Sequence, residues 1–267
     1  MSTPGGARLR QLRRAAGRTQ MWVELEADLG SGYLQRLESG RVAQPVRPTL
    51  ERILTALGAR YTERRDVLEL FGYTVATDIP TVEEVAWAET VCRPELEAVY
   101  FPAYAMDCAI RLFAWNRFVP HLLGVRADDP LLLQLTEGVF LTQWFDPDGA
   151  FTPLVAEPDR FLPAMIRAFR HELELIGDEP WVQSILDEMF SLPLFTHYWQ
   201  QVEQAGLPAT AARSLEPVRL NVPNEGLLEF RLTVEHFTRD ARFRSVYFIP
   251  GDPKTMRVCA EWAAESG

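Results

Sequence analysis

Gln35 and Arg36 stand between Leu34 and Leu37 in the run RRAAGRTQMWVELEADLGSGYLQRLESGR, residues 13–41. In a helix opening at Ser31, Leu34 and Leu37 recur at i, i+3 and turn inward, which leaves Ser31, Gly32, Gln35 and Arg36 facing out. Arg and Gln carry forked donors and acceptors that match guanine and adenine edges in a major groove, so this face has the chemistry to read bases, Arg36 foremost. Gln20 sits just inside a preceding helix for which Thr19 is the natural N-cap, where its carboxamide can reach a phosphate. Arg41 and Arg47 lie in a basic, proline-bearing loop. They suit phosphate or minor-groove contact, which sets register and not sequence.

No catalytic arrangement accompanies these residues. Asp128-Asp129 and Glu172 with Glu174 read as solvated charges, without a nucleophile and base placed beside them. A Gly-rich phosphate loop, a GxSxG elbow and a zinc-hydrolase helix are all missing. Cys92, Cys108 and Cys259 are far apart and odd in number, and His121, His171, His197 and His236 have no metal-ligand spacing. The expectation is a protein that is not an enzyme, with plain thiols, no metal and no cofactor.

The elements that position the N-terminal residues follow from periodicity. A first helix over 6–16 carries Leu9, Leu12 and Ala16 at helical spacing and ends at Gly17; the second starts after Thr19; the third covers 31–38. A fourth helix is expected near 48–57 and a fifth near 62–71, Pro48 being tolerated in a first turn. Charge divides along the same line. Residues 1–75 carry a net +4, whereas the rest of the 267-residue chain carries −14. A basic head on an acidic body confines polyanion contact to the head. With 47% hydrophobic and 24% charged residues, the composition is that of an ordinary globular protein. The most apolar stretch, residues 131–144, is interrupted by Gln134 and Glu137, and the N-terminus has arginines in place of an apolar signal core, so a cytoplasmic protein without a membrane span is expected.

The head resembles the XRE family, the phage-repressor type of helix-turn-helix, in Thr19-Gln20, Tyr33-Leu34, Arg36-Leu37-Glu38, Gly40, Pro48-Thr49-Leu50, Leu54 and Ala56-Leu57-Gly58. The resemblance implies phosphate contact by Gln20, base reading by Ser31, Gly32, Gln35 and Arg36, and pairing of Glu38 with Arg13. Three positions depart from that pattern: Glu24 replaces a small Ala, Ala27 a Leu, and Asp28 the tight-turn Gly. With Gly30 and Gly32, the recognition helix should be intrinsically weak.

Residues 72–80 read as a short connector, followed by helices over 81–92 and 94–101. Two short strands are expected at 103–107 and 111–115, then Asn116 capping a helix with Phe118, Leu122 and Leu123, then a mainly helical middle to Gly206. Val218, Leu220 and Val222, and later Leu228, Phe230, Leu232 and Val234, alternate with polar residues as half-buried strands do. Pro223-Asn224-Glu225-Gly226 joins them as a hairpin, and residues 244–250 supply a fifth strand. The fold class is thus an all-α, five-helix domain (1–75), a helical connector (76–101), and an α+β domain (102–267) built on a five-stranded antiparallel sheet with inserted helices.

Trp115-Asn116 closing the second strand, with Phe195, Trp199 and Val202, resembles the MmyB-like ligand-binding domain, a PAS-like sensory fold. The resemblance implies an apolar pocket between sheet and helices for a small hydrophobic ligand, a fatty acid being the leading candidate. Its candidate lining is Tyr104, Met106, Phe113, Trp115, Phe169, Phe195, Trp199, Phe230 and Phe248, with Arg111, Arg167 or Arg170 available to a carboxylate at the mouth. The whole then reads as a homodimeric, ligand-responsive, sequence-specific transcription regulator that binds a double-stranded DNA operator. A body that docks protein and holds no small molecule is the alternative.

Overall fold

The computed structural model describes residues 2–211 and 217–265. The outermost residues of the expected domains, Met1 and 266–267, lie outside them. Two compact units emerge: one is the chain up to Ala76 with Phe237–Ala241, the other Thr77–His236 with the chain from Arg242. Among the described residues no helix is long and apolar enough to cross a membrane.

The first unit holds five helices: α1 (Pro4–Ala15), α2 (Gln20–Glu26), α3 (Tyr33–Glu38), α4 (Arg47–Ala56) and α5 (Tyr61–Leu70). Thr3 and Thr19 cap α1 and α2 by accepting from Gly6 N and Trp22 N, each at 3.1 Å. Leu9, Val23, Leu34, Leu37, Leu50, Ile53 and Val67 form a fully buried core. Burying such side chains is worth roughly 1.5–3 kcal/mol each, enough to order helices too short to persist alone. Gly6 lets α1 close on α3, because a Cβ there would lie 2.5 Å from the Leu37 carbonyl oxygen. Phe237–Ala241 joins this unit through Thr62 N donating to Arg239 O at 3.1 Å and an Arg239–Glu63 ion pair at 3.2 Å.

The second unit is built on five antiparallel strands, β1 (Ala103–Asp107), β2 (Leu112–Trp115), β3 (Val218–Val222), β4 (Gly226–His236) and β5 (Phe243–Pro250), in spatial order β2-β1-β5-β4-β3. Asn224 and Gly226, both at positive φ, make the β3–β4 turn where expected. The connector expected over 76–101 is instead part of this unit. Its helix, α6 (Val82–Ala98), packs on β1, β2 and β5. It also runs through Pro94, where a break was expected: Ala88, Cys92 and Leu96 bury one continuous face, which offsets the hydrogen bond that Pro94 cannot donate.

Between β2 and β3 come α7 (Val119–Leu123), α8 (Pro130–Gln134), two 3-10 turns (Phe140–Trp144 and Thr152–Leu154), α9 (Pro158–Ile176), α10 (Pro180–Phe190) and α11 (Pro193–Gln204); α12 (Pro253–Glu265) follows the sheet. The middle is therefore less helical than expected, since residues 135–157 hold 3-10 turns, loops and an isolated bridge from Val155 to Leu220, and no α-helix. Tyr104, Val246 and Val234 oppose one another across β1, β5 and β4, as do Met106, Arg244 and His236. These two rows face the inserted segments.

Asn116 works differently from a simple cap. Fully buried, it accepts from Ala103 N (3.1 Å) and Phe118 N (3.2 Å) through Oδ1 and donates through Nδ2 to Leu96 O (2.9 Å) and Phe101 O (2.8 Å). It thereby ties the end of α6, the start of β1 and the exit of β2 together. Asn116→Ala leaves those four backbone groups buried and unpaired, so it should lower stability by about 3 kcal/mol. Urea unfolding followed by tryptophan emission is the check. Six of the seven tryptophans lie in the second unit, and a midpoint within error of wild type would refute the role.

Candidate nucleic-acid interface and ligand pocket

In the first unit, Leu34 and Leu37 are fully buried while Ser31, Gln35 and Arg36 are exposed and Gly32 is partly so. The helix behind that face is shorter than expected: α3 starts at Tyr33, and Gly32, at φ +74°, is its N-cap. Glycine reaches this left-handed conformation without steric cost, but it offers no side chain to cap the helix. Glu24 supplies the cap. Its carboxylate accepts from Gly32 N at 3.0 Å and Leu34 N at 2.8 Å, anchoring negative charge where helix amides and dipole favour it. Asp28 adopts φ +50° and so makes the turn that a glycine would usually make. Two of the three departures from the familiar pattern are thus structural substitutes.

Glu38 closes α3 and is buried to 1% exposure. Arg13 Nε and Nη2 donate to its two oxygens at 2.6 and 3.0 Å, Gln20 Nε2 donates at 2.8 Å, and Arg10 Nε lies 3.4 Å away. Burial alone would raise this carboxyl, but the bonds from Arg13 and Gln20 and the nearby arginine charges hold it below its ordinary value. The Gln20 nitrogen, expected on phosphate, is thus on Glu38. Gln20 and Gln35 still line a surface groove of about 550 Å³ with Arg14, Arg18 and Ser39. Arg18 was not singled out from the sequence, although its place one residue before the Thr19 cap would have found it; it lies over the Trp22 ring at 4.0 Å. Arg41 is exposed. Arg47 donates to Thr74 O at 3.2 Å and pairs with Glu51 at 3.5 Å.

The second unit holds an apolar cavity of about 100 Å³ that is partly open at the surface. Of the nine candidate lining residues it takes Tyr104, Met106 and Phe169. Phe113 is turned away: a bulge shifts the β1–β2 register at Ala105/Met106, and Phe113 packs edge-on to Phe243. Trp115 shares the Tyr104 row but sits on the edge strand, outside the lining. Phe230 and Phe248 are fully buried core behind Tyr104, while Phe195 and Trp199 brace Phe169 from α11.

What sequence reasoning missed comes from three places. Met165, Ala168 and Glu172 stand at i−4, i−1 and i+3 from Phe169 on α9; this helical face was legible, but only Phe169 was taken from it. Leu232, Val234, Val246 and Arg244 come from the inward registers of β4 and β5. Ile110, Phe140, Leu141 and Trp144 come from a turn and a 3-10 segment that have no amphipathic period.

Arg244, 7% exposed, is the arginine at the pocket. Arg111 is held by Asp107 (2.7 Å) and Pro80 O (3.1 Å), Arg167 by Pro208 O (2.8 Å), and Arg170 lies over Trp199. Glu172, expected to be solvated, is largely buried and accepts from Arg244 Nη1 at 2.9 Å. Burial opposes its ionisation, yet Arg244, with His236 and His171, brings its pKa to about 2. The three cysteines are buried free thiols, and among the described residues no cluster of His, Cys, Asp or Glu could hold a metal.

Residues 95–261 match the family described as MmyB-like transcription regulator ligand binding domain, and residues 6–68 match a helix-turn-helix domain family. No curated protein matches the chain. Among solved structures there is a similarity to "Structure of an RNA-binding Light-Oxygen-Voltage Receptor", with 13% identity and a TM-score of 0.24 over 97% of this chain. This chain spans 62% of that receptor's length, and a likeness so slight bears on neither fold nor function.

Glu38→Ala strands a partly buried Arg13, so it should cost the head about 3 kcal/mol. The folded carboxyl is depressed, so its contribution is complete above the ordinary value of 4.5 and is lost as pH falls through the folded value. The urea-midpoint gap between wild type and Glu38→Gln should therefore be widest at neutral pH and narrow on acidification. An equal gap at neutral pH and below the folded value would refute the coupling.

Proposed function

The chain belongs to the family of the MmyB-like transcription regulator ligand binding domain, and on that footing we propose that it is a homodimeric, sequence-specific DNA-binding regulator whose second unit takes a small hydrophobic effector. An acyl chain is the leading candidate for the effector. The protein works in the cytoplasm, where operators are found.

The observation that carries this reading is the apolar cavity inside the domain matched to a ligand-binding family. At about 100 Å³ it lies below the roughly 150 Å³ that holds benzene in a rigid apolar core. An acyl chain therefore needs wall side chains that can swing aside. Met106 and Met165 suit this, being unbranched and adaptable.

On DNA, Gln35 and Arg36 read base edges, with Ser31 and Gly32 at the entrance of the same helix; Gln20, Arg41 and Arg47 contact phosphate. Exposure of Gln35, Arg36 and Arg41 supports these roles. For Gln20 and Arg47, the bonds to Glu38 and Thr74 leave part of each side chain's hydrogen-bonding capacity for DNA. A dimer supplies two recognition helices for successive major grooves, about 34 Å apart. An effector that alters the body then changes operator affinity by altering that spacing.

Arg36→Ala should weaken binding to a selected operator by roughly 1–3 kcal/mol and leave non-specific binding nearly unchanged. Fluorescence anisotropy over a salt series is the measurement, and affinity should fall steeply as salt rises. Absence of any sequence preference after selection from a random DNA pool would overturn the DNA reading. For the body, native mass spectrometry of purified protein should show an apolar small molecule that is lost on denaturation. A ligand-free protein that binds no acyl compound would overturn the effector reading.

A further inference from the structure

Three side chains from separate elements bring a hydroxyl and two charges to the lining of the cavity: Tyr104 on β1, Glu172 on α9 and Arg244 on β5. Arg244 Nη1 donates to Glu172 Oε2 at 2.9 Å. His236, directly across the β4–β5 ladder from Arg244, has Nε2 3.4 Å from the same oxygen and adds a charge only when protonated. The Arg244 and Glu172 side chains are 7% and 16% exposed, so this is a largely desolvated pair. Tyr104 is buried as a residue, at 5% exposure, but it lines the cavity, and its hydroxyl has no hydrogen-bond partner among the described residues; burial of the ring also keeps the phenol protonated.

Charge balance at these side chains discriminates between ligand head groups. The positive charge of Arg244 is already matched by Glu172, which occupies one of its guanidinium nitrogens. An ionised carboxylate entering here would set a second negative charge beside Glu172 in a low-dielectric site, leaving the cluster net negative. Like charges forced together away from water cost several kcal/mol. A neutral head adds no charge: its oxygen can accept from the Tyr104 hydroxyl or from the remaining Arg244 N–H groups, which donate to no other side chain or carbonyl among the described residues.

We infer that the cavity selects an apolar ligand with a neutral hydrogen-bonding head, such as an acyl-chain alcohol or amide, over the corresponding free carboxylate, and that Glu172 sets this choice. The inference rests on the apolar-effector reading above and narrows it to a head-group class.

The test uses the full-length protein and three eight-carbon probes of equal chain length, octan-1-ol, octanamide and octanoate. Titration calorimetry at about pH 8 reads the three affinities. Octan-1-ol and octanamide should bind at least about tenfold more tightly than octanoate. Glu172→Gln keeps an acceptor for Arg244 but removes the negative charge, so it should improve octanoate binding relative to octan-1-ol by about tenfold or more. Tyr104→Phe deletes a hydroxyl that has no partner among the described residues, so the fold should tolerate it, and octan-1-ol binding should weaken about fivefold.

Octanoate binding as tightly as the alcohol in the wild type overturns the head-group inference while the effector reading stands. An unchanged octanoate-to-octanol ratio in folded Glu172→Gln overturns the role of Glu172. If that variant does not fold, the wild-type comparison and Tyr104→Phe still decide on the neutral head. Failure of all three probes to bind overturns the apolar-effector reading and this inference together.

Discussion

A carboxylate removed from water must be surrounded by donors or give up its charge, and the head is organised around meeting that condition at Glu38. Arg13 and Arg10 arrive from α1 and Gln20 from α2, so a single buried side chain joins three helices. Because Glu38 ends α3, satisfying it also fixes the orientation of the helix that carries Gln35 and Arg36. Glu24 does the corresponding work at the opposite end of α3. A six-residue helix that opens next to glycines has little intrinsic stability; it is held by a carboxylate at each end and by Leu34 and Leu37 beneath.

The body meets the same physical demand with a different result. Glu172 and Arg244 neutralise one another, but they do so at the wall of a cavity and not inside packed core. A matched pair there leaves hydrogen-bonding capacity without leaving net charge. Asn116 secures the scaffold behind it by saturating four backbone groups with one amide. The Trp115-Asn116 pair that stands out in the sequence therefore has a structural duty: Asn116 is an internal latch and Trp115 a cross-strand neighbour of Tyr104.

Much of the architecture was legible because it is encoded locally. Thr19 caps α2, the 228–234 alternation becomes β4, Asn224 and Gly226 turn the hairpin, and the Arg13–Glu38 pair forms as the family resemblance implied. The cavity was less legible. Phe113 was misassigned because a bulge breaks the alternation on which the assignment depended. Phe140 and Trp144 escaped because a 3-10 turn gives no amphipathic stripe, and Glu172 was discounted because an acidic residue in a helix is usually solvated.

Sequence alone determined the five helices of the head, the five strands of the sheet and the hairpin turn at 223–226, since caps, turn residues and periodicity act over a few neighbouring positions. It also determined that Gln35 and Arg36 are exposed, because Leu34 and Leu37 claim the other side of the same helix. Only tertiary structure decided what each buried face meets. The order β2-β1-β5-β4-β3 brings residues 104, 232 and 244 onto one wall, and α9 sets Glu172 against Arg244. Periodicity reports that a side chain points inward; the charge or hollow waiting there depends on segments far away in the chain, brought close only by folding.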